Sequence, residues 1–334
     1  MHMNRRSFLG LAACAPLLVS ACASGADAQG KKDAMQQKSF FCFDTACSVG
    51  GLVSSEQLDE LVGLCEHFES TLSRTIETSD VSRINAAGGE PVEVEDATAE
   101  LIGLALDYSR ASGGLFDITI GAVTRLWDFH EQLVPAPEDI AEALGHVGYE
   151  RVQVDGTKVQ LSDPLAAIDL GGIAKGYVAD VLCDQLKSWG VSSAYVNLGG
   201  NVKVVGPKPD GSSWAIGVRE PDPDASDASS VARVLLEGGS VVTSGLYERQ
   251  FERDGQRYWH ILDPRTGYPV ESDLVSATIV SERSIDGDGF TKPLFMMGSQ
   301  QALAWAEEHP QLKLLLVDQT GERMMYPEGS FELL

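Results

Sequence analysis

From Phe40 to about Leu52 the pattern of apolar and polar positions is strand-like. From Ser55 to Ser70 the period lengthens, and Leu58, Leu61, Leu64, Cys65 and Phe68 form the stripe of an amphipathic helix. A second helix, capped by Asp96, runs through Leu101, Leu104, Ala105 and Tyr108 and is ended by Gly113-Gly114; a short third spans about Pro137 to Leu144. Residues 151–161 alternate around Asp155-Gly156 and read as a β-hairpin. Ala166 to Leu170 reads as a strand passing through Gly171-Gly172 into a helix from Ala174 to Trp189. Strands are predicted at 193–198, 202–206, 214–219, 231–236, 241–244, 247–253, 256–262, 274–281 and 313–318, with helices near 288–297 and 299–308 before the last. Residues 220–230 form an acidic loop without an apolar anchor. Strands and helices mix without a regular βαβ succession, so the expected class is α+β, with mixed antiparallel sheets and packed helices.

The chain has 334 residues, 49 of them Asp or Glu and 25 Lys or Arg, for a net charge of −24. That balance disfavours nucleic acid as a partner, and an anionic ligand must be held by a local cation, a helix N-terminus or a metal. Arg5-Arg6 before Phe8-Leu9 resembles a twin-arginine export signal. The apolar run behind it, about a dozen residues, suits a signal and is too short to span a bilayer. Val19-Ser20-Ala21-Cys22 resembles a lipobox, so residues 1–21 are expected to be removed and Cys22 lipidated, with 23–38 a flexible tether and 39–334 the catalytic domain. Of the cysteines beyond it, Cys42, Cys47, Cys65 and Cys183 make no zinc spacing. Cys42 and Cys47 on one strand would point to opposite faces, so they are expected reduced.

Four segments carry chemistry-bearing residues where packing alone is a strained explanation. Gly113-Gly114-Leu-Phe-Asp117-Ile-Thr119-Ile-Gly121 precedes Trp127. Asp169-Leu-Gly-Gly172-Ile-Ala-Lys175-Gly176 joins an acid, two glycines and a helix start, an arrangement able to cradle phosphate. His260 stands beside the turn Asp263-Pro-Arg-Thr-Gly267, where a general base or ligand is placed. Asp286-Gly-Asp288-Gly-Phe-Thr291-Lys292 suits a hard cation or a helix cap. No G-x-G-x-x-G follows an early strand, which argues against a Rossmann enzyme.

Taken with Ser73-Arg-Thr, Ser79-Asp-Val-Ser-Arg-Ile-Asn85, Asn197-Leu-Gly-Gly-Asn201, Thr243-Ser-Gly245 and Phe295-Met-Met-Gly298, these segments resemble the FAD:protein FMN transferases, the ApbE-like flavin transferases, over nearly all of residues 40–300. The resemblance implies that fold and the Mg²⁺-dependent transfer of FMN from FAD to a Thr hydroxyl of an acceptor flavoprotein in the cell envelope, with AMP released. Carried over by position, it implies FAD contacts at Phe43, Thr75, Leu115, Phe116, Asp117, Asp169, Lys175 and Leu262. Catalytic roles fall on His260 and Asp288. The Mg²⁺ ligands would be the Gly172 carbonyl, Asp288 and Thr291. Lys292 takes the position of a ligating Thr, and an ammonium cannot coordinate a cation. Two outcomes stay open: a Mg²⁺ retained by Asp288 and Thr291, which is the expectation adopted, or a lysine that replaces part of its charge. Rival readings are an FAD pyrophosphatase releasing FMN and AMP, and a flavin-binding lipoprotein without catalysis. Whether a homodimer forms is left open.

Overall fold

The computed structural model describes residues 34–222 and 229–334. The expected signal, the Cys22 anchor, most of the tether and residues 223–228 of the acidic loop lie outside them. The chain opens with β1 (Gln36–Cys42) and β2 (Thr45–Gly51), then α1 (Ser55–Leu72), α2 (Asp80–Ala86), β3 (Val92–Glu93) and α3 (Asp96–Ala111). A 3₁₀ turn (Ile118–Ile120), α4 (Gly121–Thr124) and α5 (Pro137–Leu144) lead to β4 (Val152–Asp155) and β5 (Lys158–Leu161). Helix α6 (Ala174–Ser188) precedes β6 (Ala194–Leu198), β7 (Asn201–Val205), β8 (Trp214–Arg219), β9 (Ser230–Leu236) and β10 (Gly238–Gly245). The hairpin β11 (Gln250–Arg253) and β12 (Gln256–Trp259) is followed by β13 (Leu274–Ser281), α7 (Ser284–Glu307), β14 (Lys313–Asp318), β15 (Arg323–Tyr326) and β16 (Glu332–Leu333).

An eight-stranded sheet ordered β1-β2-β6-β7-β10-β13-β14-β15 is the spine, antiparallel at every pairing. The apolar stripes of α1, α3 and α6 close the largest core over its β1–β7 end, and α7 packs on β13 and β14. The small sheet β16-β9-β8 contributes Trp214, Ile216 and Val234 to a further buried cluster that includes Tyr195 and Val204 of the spine. A satellite cluster of Val123, Trp127, Ile140, Phe251 and Leu262 lies under α5 and the β11–β12 hairpin. The α+β expectation therefore holds, with β13 and β14 found at the predicted bounds.

Several local expectations are corrected. The single strand from Phe40 is a hairpin: Phe43 and Asp44 turn with φ of 54° and 59°, the pair of left-handed residues a type I′ turn requires. Neither is Gly or Asn, so composition hid the turn; Glu69 of α1 holds it by accepting the Phe43 N–H at 2.6 Å. Strand β1 begins at Gln36, inside the stretch read as tether. Cys42 and Cys47 thus sit on neighbouring strands, both buried, and with Cys65 and Cys183 they are free thiols. Residues 166–170 are largely buried and pair with no strand among the described residues. Instead the Asn85 amide imitates one, accepting from Ile168 N–H (2.7 Å) and donating to its carbonyl (2.9 Å). Asp96 is the first residue of α3 and not its cap; Asp80 accepts from Glu95 N–H and the Thr98 hydroxyl there. The two late helices run together as α7, broken at Gly298, whose φ is 73°.

Candidate active site

The site is assembled around Asp288, which α7 buries to 1% exposure. Its Oδ2 accepts from Gly176 N–H (2.7 Å) at the start of α6 and from Asn201 Nδ2 (3.0 Å) at the start of β7. Its Oδ1 accepts from Lys292 Nζ, one helical turn on, at 3.0 Å. Gly176 is required here: a Cβ would stand 2.7 Å from both Ile285 Cα and Ser284 O, so only glycine lets α6 and α7 meet. Burial alone would raise the Asp288 pKa, but the charges of Lys292 and Lys175 and the hydrogen bonds from Lys292 and Gly176 outweigh it and hold the carboxyl below its ordinary range. Burial draws Lys292 below the usual lysine value; Asp288 opposes that fall, and Lys175 adds to it.

His260 follows β12, its N–H bonded to the Arg249 carbonyl at 3.1 Å. The next turn is pinned from below: Gly267, at φ 74°, gives its carbonyl to Trp127 Nε1 (3.1 Å), while the Asp263 carboxylate accepts from Arg265. The imidazole Nδ1 is shut off from solvent and has no hydrogen-bond partner among the described residues. Burial, followed by the charges of Arg249, Lys292 and Lys175, pushes the His260 pKa down to about 3. The charges of Lys175, Lys292 and Arg249 thus all act on the neutral His260, and those of the two lysines on Asp288.

Short contacts link several of the other predicted positions to their neighbours. Asp169 Oδ1 accepts from Gly171 N–H (2.8 Å), while its Oδ2 meets Arg74 Nε at 2.9 Å and the Thr124 hydroxyl at 3.1 Å, tying the Ser73-Arg-Thr75 loop to the glycine turn. Thr75 is exposed and shares a hydrogen bond with Ser73 (2.9 Å). A Cβ on Gly172 would stand 3.5 Å from Phe116 Cε2, so the 113–121 and 169–176 segments abut, with Leu115 half-buried beside Phe116. Phe43 approaches through its neighbour Asp44, which pairs with Arg249 at 2.9 Å. Two side chains are committed elsewhere. Asp117 caps the 3₁₀ turn through Thr119 N–H and hydroxyl (2.8 and 2.6 Å) and binds Tyr149 N–H (2.9 Å); burial raises its pKa against those bonds. Leu262 is buried in the satellite cluster with Trp127.

The donors do not fit the expected Mg²⁺. Both Asp288 oxygens are taken, one of them by an ammonium, and the Thr291 hydroxyl is buried against Ser244 Oγ at 2.8 Å. Among the described residues no three or more His, Cys, Asp or Glu converge as ligands. Of the expected set, Asp288 and Thr291 are thus already engaged in this arrangement, and a cation approaching Asp288 Oδ1 meets Lys292 first. Arg249, Arg74 and Asn201 were not singled out as site residues. Arg74 and Asn201 stand inside quoted motifs, and Arg249 was legible from the hairpin register, since a turn at Asp254-Gly255 sets it opposite His260.

A fold built on one antiparallel spine, with a buried acid and two lysines at the α6–α7 junction and a histidine and an arginine at the β11–β12 hairpin, defines a family as well as a site. The chain belongs to the ApbE family, whose profile matches residues 43–316. It is 39% identical over 259 residues to the FAD:protein FMN transferase of Klebsiella pneumoniae (strain 342), covering 76% of this chain and 79% of that protein. It is 35% identical over 278 residues to the protein of that name from Treponema pallidum (strain Nichols), covering 78% and 76%. The ApbE protein of Thermotoga maritima superposes with a TM-score of 0.79 at 32% identity, over 87% of this chain and 96% of that one. The flavin transferase ApbE of Vibrio cholerae does so at 0.77 and 27%, over 89% and 98%.

Proposed function

We propose that this protein transfers FMN from FAD to a threonine hydroxyl of an acceptor protein, releasing AMP. The observation that carries the reading is the buried Nδ1 of His260, without a hydrogen-bond partner among the described residues and within the field of Lys175, Lys292 and Arg249. Leaving a buried polar atom unpaired costs about 1–3 kcal/mol, and such atoms cluster where a ligand supplies the partner. The three cations suit the negative charge of a diphosphate, and the helix start at Lys175-Gly176 with the glycine turn before it admits close backbone approach. In the reaction the acceptor oxygen attacks the flavin-side phosphorus and forms the new P–O bond. The bond to the bridging oxygen breaks, and AMP leaves with its electron pair. His260, neutral in the free protein, takes the hydroxyl proton.

Binding also strengthens that base. The cations that depress the His260 pKa are those a diphosphate would neutralise, so substrate raises the affinity of the imidazole for a proton when one is to be moved. The relatives named FAD:protein FMN transferase support the donor and the protein acceptor. The Arg5-Arg6 signal and Cys22 support export and a lipid anchor, which would place the enzyme and its acceptor in the cell envelope.

The test is incubation with FAD and a candidate acceptor, read as flavin fluorescence on the denatured acceptor band, with His260→Ala alongside. Covalent flavin that falls about 100-fold in the variant, with FAD affinity kept, supports the reading. Free FMN without labelled acceptor would instead make the protein a pyrophosphatase, and loss confined to FAD affinity would make His260 a contact residue.

A further inference from the structure

Helix α7 sets Asp288 and Lys292 four residues apart on one face, and Lys292 Nζ reaches Asp288 Oδ1 at 3.0 Å. The carboxylate side chain is 2% exposed and the lysine side chain 18%. The remaining oxygen is held by Gly176 N–H and Asn201 Nδ2, so the carboxylate cannot turn a free edge to a cation without breaking contacts from α6 and β7. Lys175 adds a second positive charge to the same space, and Thr291, the other side-chain oxygen on this face, is paired with Ser244. An ammonium donates hydrogen bonds and accepts none, and a divalent ion brought beside it is repelled in a setting of low dielectric.

Resting on the reading of a FAD diphosphate in this site, we propose that the Lys292 ammonium takes the place of a divalent cation in this chain, so that FMN transfer proceeds without Mg²⁺. Lys292 keeps its proton throughout and acts as a point charge on the diphosphate, a role for which lysine suffices. Asp288 then orients the ammonium, and Gly176 and Asn201 orient Asp288. The attack on phosphorus and the departure of AMP are unchanged, and the proton still passes to His260.

The experiment titrates chelator-treated protein with MgCl₂ by calorimetry and, separately, measures FAD turnover in EDTA and in added Mg²⁺. The wild type is expected to show no saturable Mg²⁺ binding and to lose less than about twofold in turnover with EDTA, a change smaller than any lost charge contact makes. Lys292→Thr is expected to lose about 100-fold of the EDTA-resistant turnover, the scale of one removed oxyanion partner, and to acquire Mg²⁺ binding that restores it. Saturable Mg²⁺ binding by the wild type that disappears in Asp288→Asn overturns the proposal, as does wild-type turnover abolished by EDTA and recovered with Mg²⁺. Absence of FAD turnover under every condition would count against the transferase reading, whereas the Mg²⁺ titration of the wild type still decides the role of Lys292.

Discussion

Replacing Asn85 with Ala removes a single amide from a loop-end helix, yet it should cost far more than a surface change. The side chain accepts from Ile168 N–H at 2.7 Å and donates to its carbonyl at 2.9 Å, and Ile168 has no solvent exposure. The variant orphans two buried backbone groups at about 1–3 kcal/mol each, or about 3 kcal/mol after partial relaxation. With a urea slope of about 3 kcal/mol per M for a chain of this size, the unfolding midpoint should fall by about 1 M. Asn85→Asp should fare no better: it keeps the acceptor but sets a carboxylate oxygen against the Ile168 carbonyl. Because the next residue is Asp169, which holds Arg74 and the Gly171 turn, KM for FAD should rise more than kcat falls. A midpoint shift below about 0.3 M in Asn85→Ala would refute the claim that Asn85 stands in for a strand.

Gly176→Ala should destabilise the protein by about 1–3 kcal/mol and abolish most turnover, because the methyl group presses on the Ile285 backbone and parts Gly176 N–H from Asp288; unfolding and FAD turnover of the one variant measure both. The His260 pKa is lowered from its ordinary value to about 3, so between about pH 3 and 6.5 the unfolded chain holds the extra proton. Stability should therefore be fully present above that window and fall as pH drops through it, and His260→Gln should flatten the fall in urea titrations. In turnover, the acid limb of kcat should lie at higher pH than that of kcat/KM, since bound diphosphate masks the cations; coincident limbs would show that they do not act on His260.

Legibility tracked the source of each signal. The α1 and α6 stripes and the β13 and β14 runs are local periodicities and could be read directly. The turn at Phe43-Asp44 could not, because Glu69, distant in sequence, supplies what Asn-Gly would normally provide. Residues 166–170 looked like a strand for a sound reason, since they are largely apolar; what no window reveals is that an amide from α2 fills the ladder. At the site, the order of the motifs singles out His260, Asp169, Lys175 and Asp288 as candidates. The spacing of Asp288 and Lys292 was legible too, but whether the lysine faces the acid or solvent depends on α6 and β7 crowding the other side.

The two halves of the site rest on separate supports. Helix α7 begins at Ser284 with no side-chain cap of its own; instead Asp180 of α6 accepts from Ser284 N–H (2.7 Å) and Ile285 N–H (3.0 Å) while pairing with buried Lys203 of β7. That carboxylate satisfies orphan amides and complements the helix dipole, so Asp288 and Lys292 inherit their position from a rigid three-element node. His260 depends on none of this. Its turn is held by Trp127 and its hairpin packs into the satellite cluster, neither of which belongs to that node. The two lysines are thus carried by the buried α6–α7 junction, where displacement is costly, while His260 and Arg249 are carried by the β11–β12 hairpin. An enzyme that must hold one small donor firmly and admit a large protein acceptor has use for both kinds of support.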